Sequence, residues 1–157
     1  MSNSPMQDSE NHAYQSLRDF IHVDPNRHKE ALPSAFSKKA VVHLKEGVDG
    51  LELERQITAA VVQVQTWVAA QGGIVGHIKT LLDGPESLWV STTGTAPSIR
   101  RTRRPEHPGD ICFYFTAIAV HVDYEAFCAA AEEAYQQCLA ACFIVPAEPA
   151  GGALSDV

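Results

Sequence analysis

One stretch of helical periodicity stands between two stretches that alternate residue by residue, and this succession of periods narrows what the chain can fold into. Leu53, Ile57, Ala60, Val61, Val64 and Val68 recur at three- and four-residue spacing, which predicts a helix of about five turns with one apolar face. Asp49, followed three residues later by Glu52, supplies a cap for its start. Gly72 and Gly73 end it, since glycine tolerates the left-handed conformation that closes a helix. Before it, Lys39 to Lys45 alternates, with Ala40, Val42 and Leu44 on one side and Val41, His43 and Lys45 on the other. After it, Ile74 to Leu82 reads as a strand, Asp83-Gly84-Pro85-Glu86 as a turn, and Leu88 to Thr93 as a strand returning antiparallel.

The remaining elements follow the same logic. Gly94 to Asp110, broken by Pro97, Pro105 and Pro108, reads as a long Arg-rich loop. Ile111 to Val122 is the strongest strand signal, and Asp123 caps an Ala-rich helix ending near Ala141. A short helix over Ser9 to Ile21 and an irregular connector from Asp24 to Ser37 precede this core. The expected organisation is an N-terminal polar segment with short helix and connector (1–37), one α+β domain (38–145) and a flexible tail (146–157). A strand, crossover helix and second strand are expected to give parallel neighbours, within a mixed, mainly antiparallel sheet of about four strands with helices on one face. The order, a leading helix then β-α-β-β-β-α, resembles the ferredoxin-like group of small α+β sandwiches but departs from its double βαβ repeat. With 157 residues, 45% hydrophobic, the chain can bury a core without disulfides or zinc.

Charge and cysteine bear on setting and partners. The whole chain carries a net charge of -7; all 12 basic side chains lie before residue 105, whereas residues 105 to 157 are acidic without Lys or Arg. An acidic chain repels nucleic acid and anionic membrane unless it gathers positive charge locally. The one dense run, Arg100, Arg101, Arg103 and Arg104, contains no aromatic residue for base stacking, so nucleic acid is not expected as a partner. No apolar run reaches the roughly 20 residues of a membrane helix, and the first thirty residues lack an export pattern; a cytoplasmic setting is expected. Cys112, Cys128, Cys138 and Cys142 form no Cys-x-x-Cys pair. Cys138 and Cys142 could offer two ligands one helical turn apart. Core packing is the favoured reading, because both continue a buried stripe with Tyr124, Phe127, Ala131 and Tyr135.

Candidate functional residues come from two places. Val42-His43-Leu44-Lys45 and Gly76-His77-Ile78-Lys79 each place a His and a Lys two residues apart, hence on one side of a strand. If the helices cover Leu44 and Ile78, then His43, Lys45, His77 and Lys79 share the open face, expected side by side as an anion-binding cluster. Polar alternation on a wet sheet face is also what patterning alone produces. His121, at the end of its strand, would add a third imidazole only if it turned the same way, and no metal site is expected. The Arg loop is the second candidate, since guanidinium groups grip phosphate and carboxylate with two parallel bonds. No phosphate loop, nucleophile elbow or zinc-protease pattern is present. The expected function is a non-enzymatic binding or accessory protein, taking a small anionic ligand or a protein partner through His43, Lys45, His77, Lys79, Arg100, Arg101, Arg103 and Arg104, without a cofactor. One rival is an enzyme with His77 as general acid or base; another is a structural homo-oligomer subunit. Self-association is expected alongside the main reading, as a homodimer pairing its open face, with Val41, Val75 and Leu81, across a two-fold axis.

Overall fold

A computed structural model describes residues 32–107 and 109–147. The short helix expected over Ser9 to Ile21, most of the connector and most of the tail lie outside the described residues. Strand β1 (Ser34–Leu44) is followed by helix α1 (Gly50–Ala70), then β2 (Ile74–Asp83), β3 (Glu86–Thr92), β4 (Ser98–Arg103) and β5 (Ile111–Val120). Helix α2 (Tyr124–Cys142) and the short β6 (Phe143–Ile144) complete the order. The strands form one sheet in the order β4-β3-β2-β5-β1-β6, and every neighbouring pair is antiparallel.

Two expectations about the sheet are corrected here. It has six strands rather than about four, because Ser98–Arg103 pairs along β3 instead of forming loop and Phe143–Ile144 pairs with the end of β1. β1 and β2 run in the same direction but are not neighbours, since β5 inserts between them and pairs with both. The second crossover behaves likewise: β5 and β6 run the same way with β1 between them. Nine backbone positions of β5 are matched on each side, so it is the strand most completely enclosed by partners. The strand β1 also starts at Ser34, so the sheet takes in residues assigned above to the connector.

Local chemistry accounts for the helices. Asp49 Oδ1 accepts from the Glu52 backbone N–H at 2.8 Å, and Asp123 Oδ2 from that of Ala126 at 2.9 Å, satisfying donors that a helix start leaves orphaned. Gly72, with φ at +72°, takes the left-handed turn that stops α1. The apolar stripe of α1 is buried as its spacing predicts, and α2 buries Phe127, Ala131, Tyr135, Cys138 and Cys142. Tyr124 departs from that stripe and is exposed, because it sits at the first helical position before the turn reaches the sheet.

Both helices lie on one side, α1 over β2 and β3, α2 over β1. β5 sends Phe113, Phe115, Ala117 and Ala119 into the layer between. Phe113 stacks on Tyr135 with ring centres 5.9 Å apart, and Phe115 meets Phe36 edge-on at 6.1 Å. The other side of the sheet carries no helix among the described residues.

Candidate binding surface on the open sheet face

Strand alternation decides which candidate residues can act together. On β1, Lys38 reaches the helix side and pairs with Glu132 of α2 at 3.3 Å, so Lys39 projects from the open side, over Tyr114 at 5.3 Å from its ring centre. On β2, Ile78, Thr80 and Leu82 are buried beneath the helices, which leaves His77, Lys79, Leu81 and Asp83 on the open side. The register shifts between Val75 and His77, placing Gly76 at a bulge. That extra residue lets Val75 pack against the core while His77 still faces outward.

The two His-Lys pairs do not form the single cluster expected from sequence. Their strands are separated by β5, and the pairing aligns His77 with Ile118 and Ile118 with Ala35. His43 therefore lies eight positions further along β1, about 27 Å away at the rise of an antiparallel strand. His43 is exposed and opposite Ile144 at the far end. Lys45, just past the strand, turns to the helix side and donates to the carbonyl of Ala140. His77 and Lys79 stay together. The half-buried His77 ring has an Nε2 without a partner among the described residues, and burial, aided by the Lys79 charge, holds its pKa below the ordinary value.

The four arginines are likewise divided. Their segment is mostly a strand, so consecutive side chains alternate sides rather than making one cationic loop. Arg101 faces α1, where its guanidinium pairs with Glu54 (Nε to Oε2, 2.8 Å) and donates to the Gly50 carbonyl at 2.9 Å. Arg103, on the same side, lies 3.9 Å from Glu86 and is well exposed. Arg104 approaches Asp83 at 3.4 Å, a carboxylate it shares with His107. Arg100 also faces the open side, its guanidinium 5.2 Å from the centre of the Trp89 ring, and Arg104, just past the strand, borders the same side beside Asp83.

The open face thus gathers cations and aromatics from five strands. Trp89, 41% exposed, pairs across to Leu81, Leu81 to Tyr114 and Tyr114 to Lys39, so Arg100, Trp89, Leu81, Tyr114 and Lys39 form one row. The adjacent row runs Ser98, Ser91, Lys79, Thr116 and Ser37, with Ser37 and Thr116 hydroxyls 3.0 Å apart. Among the described residues no carboxylate lies within 4.0 Å of Lys39, Lys79 or Arg100. Trp89, Leu81, Asp83, Ser87, Thr102 and Arg104 line a depression of 210 Å³ on this face. A second depression, of 290 Å³, is lined by Gly50, Leu53, Glu86 and Arg101, the last already paired with Glu54. Both are smaller than the roughly 300–1,000 Å³ typical of small-molecule pockets. Tyr114, Lys39, Thr116 and Ser37 escaped the sequence reading, because only the insertion of β5 brings them beside Lys79 and Trp89. The alternation of β5 itself was the one signal that could have placed Tyr114 and Thr116 outward.

Elsewhere, Cys138 and Cys142 are buried, and all four cysteines are free thiols. The Cys138–Cys142 hydrogen bond raises the first thiol's pKa and lowers the second's, with the Lys45 and Arg55 charges also drawing Cys142 down. Among the described residues, no three His, Cys, Asp or Glu side chains converge to hold a metal ion, and no helix is long and apolar enough to cross a membrane.

No protein-family model matches the chain, and no curated protein matches it. Two solved structures are similar to it: the zinc-bound YjiA GTPase of E. coli, with a TM-score of 0.41, and a zinc-bound triple mutant of that GTPase, with a TM-score of 0.42. Each is 14% identical over 64% of this chain, which spans 29% of theirs. A likeness that slight carries no argument about what this chain does.

Proposed function

We propose that the chain is a ferredoxin-like sandwich with an added edge hairpin, and that it serves as a non-enzymatic binding module for an anionic ligand. The strand order β6-β1-β5-β2, with each crossover skipping one strand, supports the first part. The β3–β4 extension then explains why the linear order departs from a plain double repeat. The second part rests on one observation: Lys39, Lys79 and Arg100 emerge from one sheet face without a neighbouring described carboxylate, beside Trp89 and Tyr114. Of the residues proposed from sequence, His77, Lys79 and Arg100 belong to this surface; Arg101 and Lys45 serve the helix side. A cytoplasmic setting is part of the same proposal, and the four free thiols accord with it.

Self-association through this face is the second reading, favoured by the half-buried Leu81 and Ile118. An isologous interface would, however, set this cationic patch against its own copy. Catalysis by His77 draws less support, because its buried Nε2 meets no hydrogen-bonding partner among the described residues. The test is retention on immobilised heparin. Lys79→Glu should elute at markedly lower salt than the parent, whereas the same charge reversal at Arg55, on the helix side and paired with Glu52, should change elution little. Equal effects of the two substitutions would refute a role for the open face.

A further inference from the structure

Taking the open face as an anion-binding surface, we infer that its ligand is a single-stranded nucleic acid laid across the strands. Two register rows carry the argument. In the first, Trp89 and Tyr114 stand two strands apart, about 10 Å at the usual spacing, between Arg100 at one end and Lys39 at the other, about 19 Å apart. In the second, about 7 Å along the strands, Lys79 is flanked by the hydroxyls of Ser91 and Ser98 on one side and Thr116 and Ser37 on the other. One row offers ring faces and the other offers donors to phosphate and sugar oxygens, and a nucleotide needs both at once. A base can stack on Trp89 or on the Arg100 guanidinium that overlies it.

Other anions fit less well. The 210 Å³ depression is too shallow to enclose a small molecule, whereas an extended polymer needs no enclosure. A duplex keeps its bases stacked inside, which would leave Trp89 and Tyr114 facing backbone. An acidic polypeptide would use the cations and leave the rings idle. The chain's net charge of -7 does not prevent this binding. Glu52, Glu54, Glu132 and Glu133 project from α1 and α2, across the sheet from the cations, at a separation of about one packed layer. Physiological salt screens charges over about 8 Å, so the local patch outweighs the sum. The aromatics missing from the arginine run stand on β3 and β5.

The test is fluorescence anisotropy of the full chain with a labelled oligothymidylate of about twelve nucleotides, competed by inorganic polyphosphate and by a duplex of the same length. The oligonucleotide should bind tighter than either competitor, and Trp89→Leu and Tyr114→Leu should each raise the Kd about tenfold or more. Lys79→Gln should reduce the slope of log affinity against log salt by about 0.7. Thermal melting of each variant checks that it is folded. Should Trp89→Leu fail to fold, quenching of the parent's tryptophan emission by the oligonucleotide reports the same contact, because Trp67 lies on the helix side, partly buried against Phe127. If polyphosphate competes fully and the aromatic substitutions change nothing, the face binds anions without reading bases; the inference falls and the broader proposal stands. If neither polyanion binds, or light scattering shows a second copy covering the face, both fall.

Discussion

His77 shows how a single bulge changes a residue's chemistry. Gly76 takes up the extra position, Val75 turns inward and the imidazole is held half-buried beside the Lys79 charge. Both surroundings disfavour the imidazolium, so its folded pKa lies below the ordinary 6.5. The unfolded chain then binds the proton more readily than the folded one. This contribution is fully present above about pH 6.5 and is lost as pH falls through the lower folded value. Urea unfolding between pH 7 and pH 5 should therefore show stability declining toward acid. His77→Asn, which carries no charge at either pH, should flatten that decline, and an unchanged slope would place the acid sensitivity elsewhere. The His-Lys spacing was legible in the sequence. The environment that shifts this histidine was not, because nothing local announces a bulge except a glycine, and glycine serves many purposes.

At the level of elements, caps and stripes were readable because their causes are local. Asp49 and Asp123 satisfy backbone donors three residues ahead, a distance that spacing alone reveals. Asp123→Ala should cost about 1 kcal/mol of unfolding free energy, measured by chemical denaturation, with the fold retained. β4 was missed for the opposite reason. Its residues Ser98 to Arg103 are exposed on both sides, so no apolar alternation marks them, and what makes them a strand is the partner β3. Long charged side chains on an outermost strand also discourage further strands from adding there. The arginines therefore act as edge guards and cross-layer ties, with Arg101 binding β4 down onto α1 and Arg100 left to the open face.

For the whole molecule, the sheet separates two kinds of chemistry. Glutamates concentrate on the helices, and Lys39, Lys79 and Arg100 stand with Asp83 on the side that carries no helix among the described residues, an arrangement invisible to any count along the chain. The sequence carried the α+β class and the helix-bearing side, since those depend on periodicity, but not the number of strands. It could not carry the strand order, because Phe113 and Phe115 pair with residues more than thirty and seventy positions away, such as Leu82 and Ala40. That separation makes a truncation informative: a chain ending at Asp110 should show no cooperative melting by circular dichroism, because β1 and β2 would have no strand between them. A protein whose central strand is synthesised so late cannot assemble its core piecemeal as it emerges from a ribosome. Until Ile111–Val120 arrives, α1 can settle on β2 and β3 but β1 has no strand joining it to them, and any chaperone attending synthesis would meet its apolar face uncovered.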